Sequence, residues 1–140
     1  MSSGHRDYSG TPLPRKLGIH EGSRILVLGA PRGFLLGDLP DDVRVARSAR
    51  GDPLDVVLLF VTRRAELERR FRALADALDR AGRLWIAWPK KASVIASDLT
   101  FEIVQRAGLE AGLVDNKSAS VDADFQGIQF VYRLRDRPTR

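Results

Sequence analysis

Residues 24–34 read Arg24-Ile25-Leu26-Val27-Leu28-Gly29-Ala30-Pro31-Arg32-Gly33-Phe34 and are the most informative segment of the chain. A mostly apolar run followed by Gly-x-x-x-Gly is typical of a buried strand that leads into a ligand-binding turn of a doubly wound α/β sheet. We expect a strand over Arg24–Leu28 that is covered on both faces. A short helix over Phe34–Leu39 should follow and end before Pro40. Such a turn offers backbone N–H groups to a ligand at the carboxyl edge of the sheet.

Further strands follow along the chain. Residues 43–45 predict a short second strand, and Asp55–Val61, rich in β-branched and apolar residues, predicts a central one. Arg83–Trp88 predicts the next strand. In the last third, Leu113–Val121 and Phe125–Leu134 are joined only by turn residues, which favours an antiparallel hairpin. The pattern predicts a mostly parallel sheet with a C-terminal antiparallel hairpin.

Helical patterns lie between the strands. Thr11–Ile19 predicts a proline-started helical turn that packs on the sheet. Apolar residues recur every three or four positions over Arg63–Arg80, with Thr62 placed to cap this helix and Gly82 placed to end it. A further helix is expected from about Thr100, ending at Gly112. Strands and helices in alternation indicate an α/β, Rossmann-like fold.

Length and composition are those of one globular domain. The chain has 140 residues, with 44% hydrophobic and 29% charged, and this length fits a single core. We expect a flexible tail over residues 1–10, a single α/β domain over residues 11–134 and a second flexible tail over residues 135–140.

Charge and cysteine content exclude some functions. No cysteine is present, so disulfides, thiolate zinc sites and cysteine nucleophiles are excluded, and a cytoplasmic location is expected. No segment has the apolar length of a membrane span, so no membrane partner is expected. The formal net charge is +5, which suits a polyanion. However, most basic residues are arginines scattered among the acidic ones, so the charge also fits a bias in composition.

Three segments resemble class I S-adenosylmethionine-dependent methyltransferases. Residues 25–33 resemble the cofactor loop of that family, and Pro53-Leu54-Asp55-Val56-Val57 resembles the segment that opens its fourth strand. Leu78-Asp79-Arg80-Ala81-Gly82-Arg83-Leu84 resembles its Leu-Lys-Pro-Gly-Gly-x-Leu turn. The resemblance implies a mostly parallel sheet that an antiparallel last strand completes, and S-adenosylmethionine as the cofactor.

The chain also resembles a family of small bacterial proteins without an established activity, over about residues 8–134. The resemblance lies in Tyr8-Ser9-Gly10-Thr11-Pro12-Leu13-Pro14, in Val61-Thr62-Arg63-Arg64-Ala65-Glu66-Leu67, in Trp88-Pro89-Lys90-Lys91 and in Gly112-Leu113-Val114-Asp115. This resemblance supports an expectation about the fold but implies no enzymatic reaction.

The methyltransferase pattern is altered at the cofactor positions. Val27 stands where the family has an acidic residue, and Pro31 replaces the middle glycine, which fills space and removes an N–H group. The second strand leads to Arg47 and Arg50 instead of an acid that could bind ribose hydroxyls. About eight residues then separate it from the next strand, too few for a further strand and helix. We therefore expect a truncated, degenerate methyltransferase-like topology in which S-adenosylmethionine binds weakly or not at all.

The glycine turn is the first candidate site. Gly29, Arg32 and Gly33 could hold an anion, because a helix that starts after Gly33 would offer free N–H groups and a positive dipole end. The alternative is a tight strand-to-helix turn that needs glycine for its geometry alone.

A second group of candidates follows the two most apolar strands at the carboxyl edge of the sheet, where open α/β sheets bind ligands. Two lysines and a hydroxyl there would suit a phosphate or carboxylate. The alternatives are a solvated loop for the lysines and core packing for the tryptophan. These residues are Thr62, Arg63, Trp88, Lys90, Lys91 and Ser93.

Other catalytic patterns are missing from the sequence. His5 and His20 have no third ligand at a motif spacing, so no metal site is expected. No Gly-x-Ser-x-Gly motif occurs. The carboxylates of Asp38, Asp41 and Asp42 fit a solvated loop.

These observations leave three functional interpretations open. The first is a protein that binds an anionic small molecule or a protein partner and does not transfer methyl groups. The second is a methyltransferase with an atypical cofactor loop. The third is a nucleic-acid-binding accessory protein, which would require the arginines to converge on one face.

Overall fold

The computed structural model describes residues 10–137, in which six strands, three α-helices and one 3₁₀ helix follow one another. Of the tails predicted at residues 1–10 and 135–140, residues 1–9 and 138–140 lie outside the described range. The elements are α1 (Leu13–Leu17), β1 (Arg24–Leu28), β2 (Arg44–Val45), β3 (Leu54–Phe60), α2 (Arg64–Ala77), β4 (Leu78–Pro89), α3 (Phe101–Glu110), β5 (Leu113–Ser120), β6 (Phe125–Tyr132) and the 3₁₀ helix Leu134–Asp136.

The strands form one sheet in the order β2-β1-β3-β4-β6-β5. The first four strands in this order are parallel to one another, whereas β6 is antiparallel to both β4 and β5. The helix α2 makes the crossover that two adjacent parallel strands, β3 and β4, require. The predicted mostly parallel sheet with a C-terminal antiparallel hairpin is confirmed.

The two faces of the sheet are covered differently. Leu59 and Ile86 face the side where α2 and α3 pack. Leu58 and Trp85 face the other side, where α1 and the irregular β1–β2 connection form the cover. Trp85 is fully buried there, and its indole N–H donates to the Leu17 carbonyl over 3.0 Å. One face is therefore covered by two long helices, and the other by a five-residue helix and irregular chain.

The helix predicted over Phe34–Leu39 is wrong, because residues 34–40 contain no regular secondary structure. Gly33 and Gly37 have φ values of +82° and +100°, which α-helical backbone excludes. The Phe34 ring instead packs edge-on against Phe60, with ring centroids 4.9 Å apart. The apolar residues of this segment thus cover the sheet and do not form a helical stripe.

The boundary between α2 and β4 also differs from the prediction. α2 ends at Ala77 instead of Arg80, and Gly82 does not end it but is buried within β4. Leu78 pairs with Leu54, and regular pairing resumes only where Arg83 meets Val56, so residues 79–82 form an irregular excursion of the strand. A Cβ on Gly82 would lie 2.9 Å from the Leu54 carbonyl oxygen. This glycine permits close backbone approach between strands.

The predicted start of α3 is confirmed. The Thr100 hydroxyl accepts a hydrogen bond of 3.2 Å from the backbone N–H of Ile103, which makes Thr100 the N-cap. Gly112 follows the helix with a φ of +90°. Within residues 10–137, every helix is too short or too polar to cross a bilayer.

Candidate functional site at the carboxyl edge

Three loops meet where β1, β3 and β4 end. The parallel register places Leu28 beside Leu59 and Phe60 beside Ala87, and the N–H of Val61 donates to the Ala87 carbonyl over 2.9 Å. We call the region formed by residues 29–35, 61–63 and 88–98 the carboxyl edge. It contains every residue that the sequence singled out as a binding candidate: Gly29, Arg32, Gly33, Thr62, Arg63, Trp88, Lys90, Lys91 and Ser93.

Gly29 is required by the contact between β1 and β3. Its φ is +72°, and a Cβ on it would lie 2.6 Å from the Phe60 carbonyl oxygen. No side chain larger than hydrogen fits this approach without a shift of backbone. Gly29 itself is exposed, so its carboxyl-edge side is open to solvent.

Gly33 belongs to a turn that no helix follows. The N–H of Phe34 donates to the Pro31 carbonyl over 3.0 Å, which closes a four-residue turn with Gly33 at φ +82°. The helix start expected after Gly33 is absent from the described chain, so the dipole-based anion site predicted there is not formed. Nothing lies within 4 Å of a Cβ placed on Gly33, and the Arg32 side chain beside it is exposed.

Trp88 lies in the core and not at the surface of this edge. Its side chain is 3% exposed and packs with the residues beneath α2 and α3. It supports the end of β4 from below, and its ring is not exposed for contact with a ligand.

Lys90 and Ser93 are bonded to the tip of the β5–β6 hairpin. The Lys90 ammonium donates to the Ser120 hydroxyl over 2.8 Å, and the Lys90 N–H donates to the Asp124 carbonyl over 2.8 Å. The Ser93 hydroxyl donates to the Asp124 carboxylate over 3.1 Å. Lys91 is exposed, and no described side chain or carbonyl accepts from its ammonium group. Of these three polar residues, Lys91 is the one available to a ligand.

Thr62 holds the loop that follows β4, but through its backbone. Its carbonyl accepts from the Ser97 hydroxyl at 2.9 Å and from the Asp98 N–H at 3.3 Å. The Asp98 carboxylate in turn accepts from the Arg64 N–H at 2.7 Å, at the first turn of α2. The N-cap position is Arg63, which makes no side-chain cap bond, so the expected cap by Thr62 is wrong. Asp98 was missed because 34 residues separate it from Arg64.

Three of the four cations at the carboxyl edge are free, whereas the carboxylates in and beside this edge accept hydrogen bonds. Arg32, Arg63 and Lys91 are exposed, and among residues 10–137 none of them forms an ion pair or a side-chain hydrogen bond. We call these three residues the cationic rim. The Asp98 and Asp124 carboxylates accept hydrogen bonds from Arg64 N–H and from the Ser93 hydroxyl. The carboxyl edge holds four cationic residues and one carboxylate, Asp98, so the field there favours negative charge.

A groove of 110 Å³ lies between α2 and α3 and contains none of the sequence-predicted residues. Both charge signs line it, and the Arg64–Glu68 pair at 2.8 Å is exposed. The hydrogen bond to Glu68 raises the pKa of Arg64. Because its charges are mixed and already partly paired, this groove does not define a binding chemistry. Within the described range, no three His, Asp or Glu side chains are grouped as a metal ion would require.

Solved structures of similar fold include S-adenosylmethionine (SAM)-dependent methyltransferases. A SAM-dependent methyltransferase from Aquifex aeolicus aligns with a TM-score of 0.60 and 15% identity, covering 83% of this chain and 85% of that chain. The magnesium protoporphyrin IX methyltransferase of Synechocystis PCC 6803 with bound SAM aligns with a TM-score of 0.59 and 14% identity, covering 81% and 71%. The fibrillarin pre-rRNA processing protein of Methanococcus jannaschii aligns with a TM-score of 0.57 and 15% identity, covering 81% and 67%.

No protein-family model and no curated protein sequence matches the chain. At these identities the structural likeness establishes the fold, which is the Rossmann-like α/β fold of class I methyltransferases. The connection from β2 to β3 consists of residues 46–53 only, without a helix or strand.

Proposed function

We propose that the carboxyl edge binds S-adenosylmethionine, and that the protein is a methyltransferase with an atypical cofactor loop. One observation carries this proposal: the sheet aligns with methyltransferases that include a SAM-bound structure. The exposed glycine turn that follows β1 at the carboxyl edge agrees with it. Ligands of open α/β sheets bind outside the carboxyl ends of the strands.

The glycine turn fits the methionine part of the cofactor. Gly29 and Ala30 are exposed, and the space beside Gly33 is open. Within residues 10–137, the N–H groups of Ala30, Arg32 and Gly33 donate to no backbone or side-chain acceptor. Unused donors in an open turn could hold the carboxylate of the methionine part, with the Arg32 guanidinium beside them. When bound, the cofactor would supply an electrophilic methyl group.

The residues after β2, where the ribose of the cofactor would bind, fit it less well. β2 ends at Val45 and continues to Arg47, which is exposed, where a carboxylate would be needed for the ribose hydroxyls. The cationic rim also opposes the positive sulfonium of SAM. S-adenosylhomocysteine lacks that charge, so it should bind at least as tightly as SAM.

The experiment is titration calorimetry of the full chain with SAM and with S-adenosylhomocysteine. A Kd below about 100 μM for either supports the proposal, and the absence of binding at that concentration overturns it. Gly33→Ala should weaken binding by about tenfold, roughly 1.4 kcal/mol, because a methyl group enters the open turn and strains its backbone.

Gly22→Ala is the matched control. Gly22 also has a positive φ, +78°, and also has nothing within 4 Å of a Cβ. It precedes β1 and therefore lies at the opposite edge of the sheet. Both substitutions strain a turn by similar amounts, so equal losses of affinity would mean that the Gly33 turn is not the site.

A second candidate function is the binding of an anionic small molecule without methyl transfer. The free cations of the rim favour it, together with the lack of an acidic residue after β2. Lys91→Ala should then lower affinity for inorganic pyrophosphate by about tenfold, and Arg69→Ala, an exposed arginine of α2, should not. Because Lys90 is bonded to Ser120, changing Lys91 alone avoids disturbing the hairpin. Unchanged affinity in Lys91→Ala would exclude the rim as the anion site.

A further inference from the structure

Two aliphatic side chains at the carboxyl edge are almost fully exposed. Leu35 is 84% exposed and Val94 is 98% exposed. Leu35 directly follows Phe34, and Val94 directly precedes Ile95. Phe34 and Ile95 both pack against the apolar cluster on the α1 side of the sheet. Phe34 packs against Phe60, and Ile95 packs against that cluster while its N–H donates to the Ser93 hydroxyl over 3.1 Å. Leu35 and Val94 are thus presented to solvent from anchored backbone.

Free cations lie next to these apolar side chains in the same loops. Arg32 lies three residues before Leu35, and Lys91 lies three residues before Val94. Neither cation has an ionic partner within the described part of the chain. The surface therefore combines exposed apolar groups with unbalanced positive charge at one edge of the sheet.

We propose that the surface formed by Leu35, Val94 and the cationic rim docks an acidic segment of a partner protein that also carries apolar side chains. Charge complementarity steers such a segment to the rim. The two aliphatic groups lose contact with water when it binds, which supplies affinity that a small anion could not provide. This proposal goes beyond the binding of SAM, and it does not depend on it.

A nucleic acid fits this surface less well than an acidic protein segment. Proteins that bind single strands stack bases on exposed aromatic rings. Trp88 is 3% exposed, Phe60 3% and Phe125 4%, and the ring of Phe34, which is partly exposed, packs edge-on against Phe60. An anionic membrane is also less suited, because two aliphatic side chains provide little insertion area.

The test measures binding of four fluorescent probes to the full chain by anisotropy: a short peptide of alternating Glu and Leu, its counterpart with Lys in place of Glu, a single-stranded oligothymidine, and vesicles of phosphatidylcholine with phosphatidylserine. We expect the Glu-Leu peptide to bind and its affinity to fall as salt rises. The Lys-Leu peptide should not bind. Tighter binding of oligothymidine or of vesicles would overturn the proposal and assign the rim to that class of ligand.

Variants at this surface, each paired with a control elsewhere, distinguish specific from non-specific peptide binding. Leu35→Ser and Val94→Ser should each weaken the Glu-Leu peptide by about threefold or more, and Arg32→Glu with Lys91→Glu by about tenfold or more. Leu134→Ser and Arg69→Glu are the controls, since Leu134 is 79% exposed and follows β6 at the opposite edge of the sheet, and Arg69 is an exposed arginine of α2 outside the carboxyl-edge loops. Equal losses in the controls would overturn the proposal. All six positions are on the surface, so circular dichroism should show folded protein for each variant.

Discussion

Gly108 of α3 lies directly against the Phe130 ring of β6, so that a Cβ on Gly108 would overlap the ring. The glycine is buried, and the Phe130 ring is itself packed edge-on against Phe71 of α2, with centroids 5.1 Å apart. Phe130 is therefore confined by both helices. The absence of a side chain at Gly108 sets the distance between α3 and the sheet.

Gly108→Ala should destabilise the protein by about 1–3 kcal/mol, because overpacking exceeds the gain of about 1 kcal/mol in helix propensity. Urea unfolding measures the difference. Adding Phe130→Leu to Gly108→Ala should recover part of the loss, which a double-mutant cycle quantifies. A Gly108→Ala protein more stable than the parent would show that α3 can move away from the sheet at little cost.

Gly29→Ala should be more damaging than Gly33→Ala. Both positions have positive φ, which costs an alanine about 1–2 kcal/mol. Only at Gly29 would the new Cβ also meet backbone, the Phe60 carbonyl oxygen at 2.6 Å. We expect Gly29→Ala to lose at least about 1 kcal/mol more than Gly33→Ala in the free energy of unfolding. Equal losses would mean that β1 and β3 do not approach as closely at this point.

Asp98→Ala should destabilise the protein by about 0.5–2 kcal/mol, because the Arg64 N–H at the start of α2 loses its acceptor. Asp98→Asn keeps an acceptor oxygen and should retain most of the stability. Asp38→Ala changes an exposed aspartate without a described side-chain hydrogen bond and serves as control, with a change within about 0.5 kcal/mol. Chemical denaturation of the three variants provides the comparison. A loss for Asp98→Ala no larger than that of the control would exclude the cap.

Tyr132 should make stability fall in alkaline solution. Burial raises the pKa of its hydroxyl, which donates to the Ala75 carbonyl. The folded state therefore keeps the proton more firmly than the unfolded state, whose tyrosines ionise near pH ~10. The contribution of the hydroxyl is complete below that pH and is lost as pH rises through the folded-state pKa.

Tyr132→Phe is the matched variant for this effect. At neutral pH it should be less stable than the parent by about 1 kcal/mol, since one hydrogen bond is lost. The difference between parent and variant in the free energy of unfolding should shrink from about pH 9 to pH 11. A difference that stays constant across this range would show that Tyr132 does not titrate with the fold.

Elements with a clear apolar period could be predicted from the sequence. β3 and β6 were predicted from β-branched runs and alternation, and α3 from its apolar spacing and the glycine at Gly112 that follows it. Phe34–Leu39 has similar apolar content, but glycines at positive φ at Gly33 and Gly37 prevent a helix. Sequence spacing does not distinguish a segment that covers a sheet from a short amphipathic helix, because both repeat apolar residues at similar intervals.

At the candidate site, the position of the loops could be predicted but not their bonding. The carboxyl ends of parallel strands must share an edge, so residues near Gly29, Thr62 and Lys91 were expected to lie together. The bond from Asp98 to the start of α2 joins residues 34 positions apart, and the bonds from Lys90 and Ser93 reach a hairpin about 30 residues on. Such partners depend on tertiary structure and leave no local signal in the sequence.

Because the two sheet faces are covered unequally, we expect local opening to occur first on the face that the β1–β2 connection covers. The β1–β2 connection has no regular secondary structure over residues 34–40, and Phe34 packs against Phe60 from it, so we expect it to open without unfolding of the sheet. Release of α2 or α3 would instead expose the cluster around Phe71 and Phe130. Amide hydrogens of residues 30–40 should therefore exchange with solvent far sooner than those of β3 and β4. We therefore expect slow amide exchange on the sheet face that α2 and α3 cover and fast exchange in the β1–β2 connection on the other face. The glycine turn lies between these two regions.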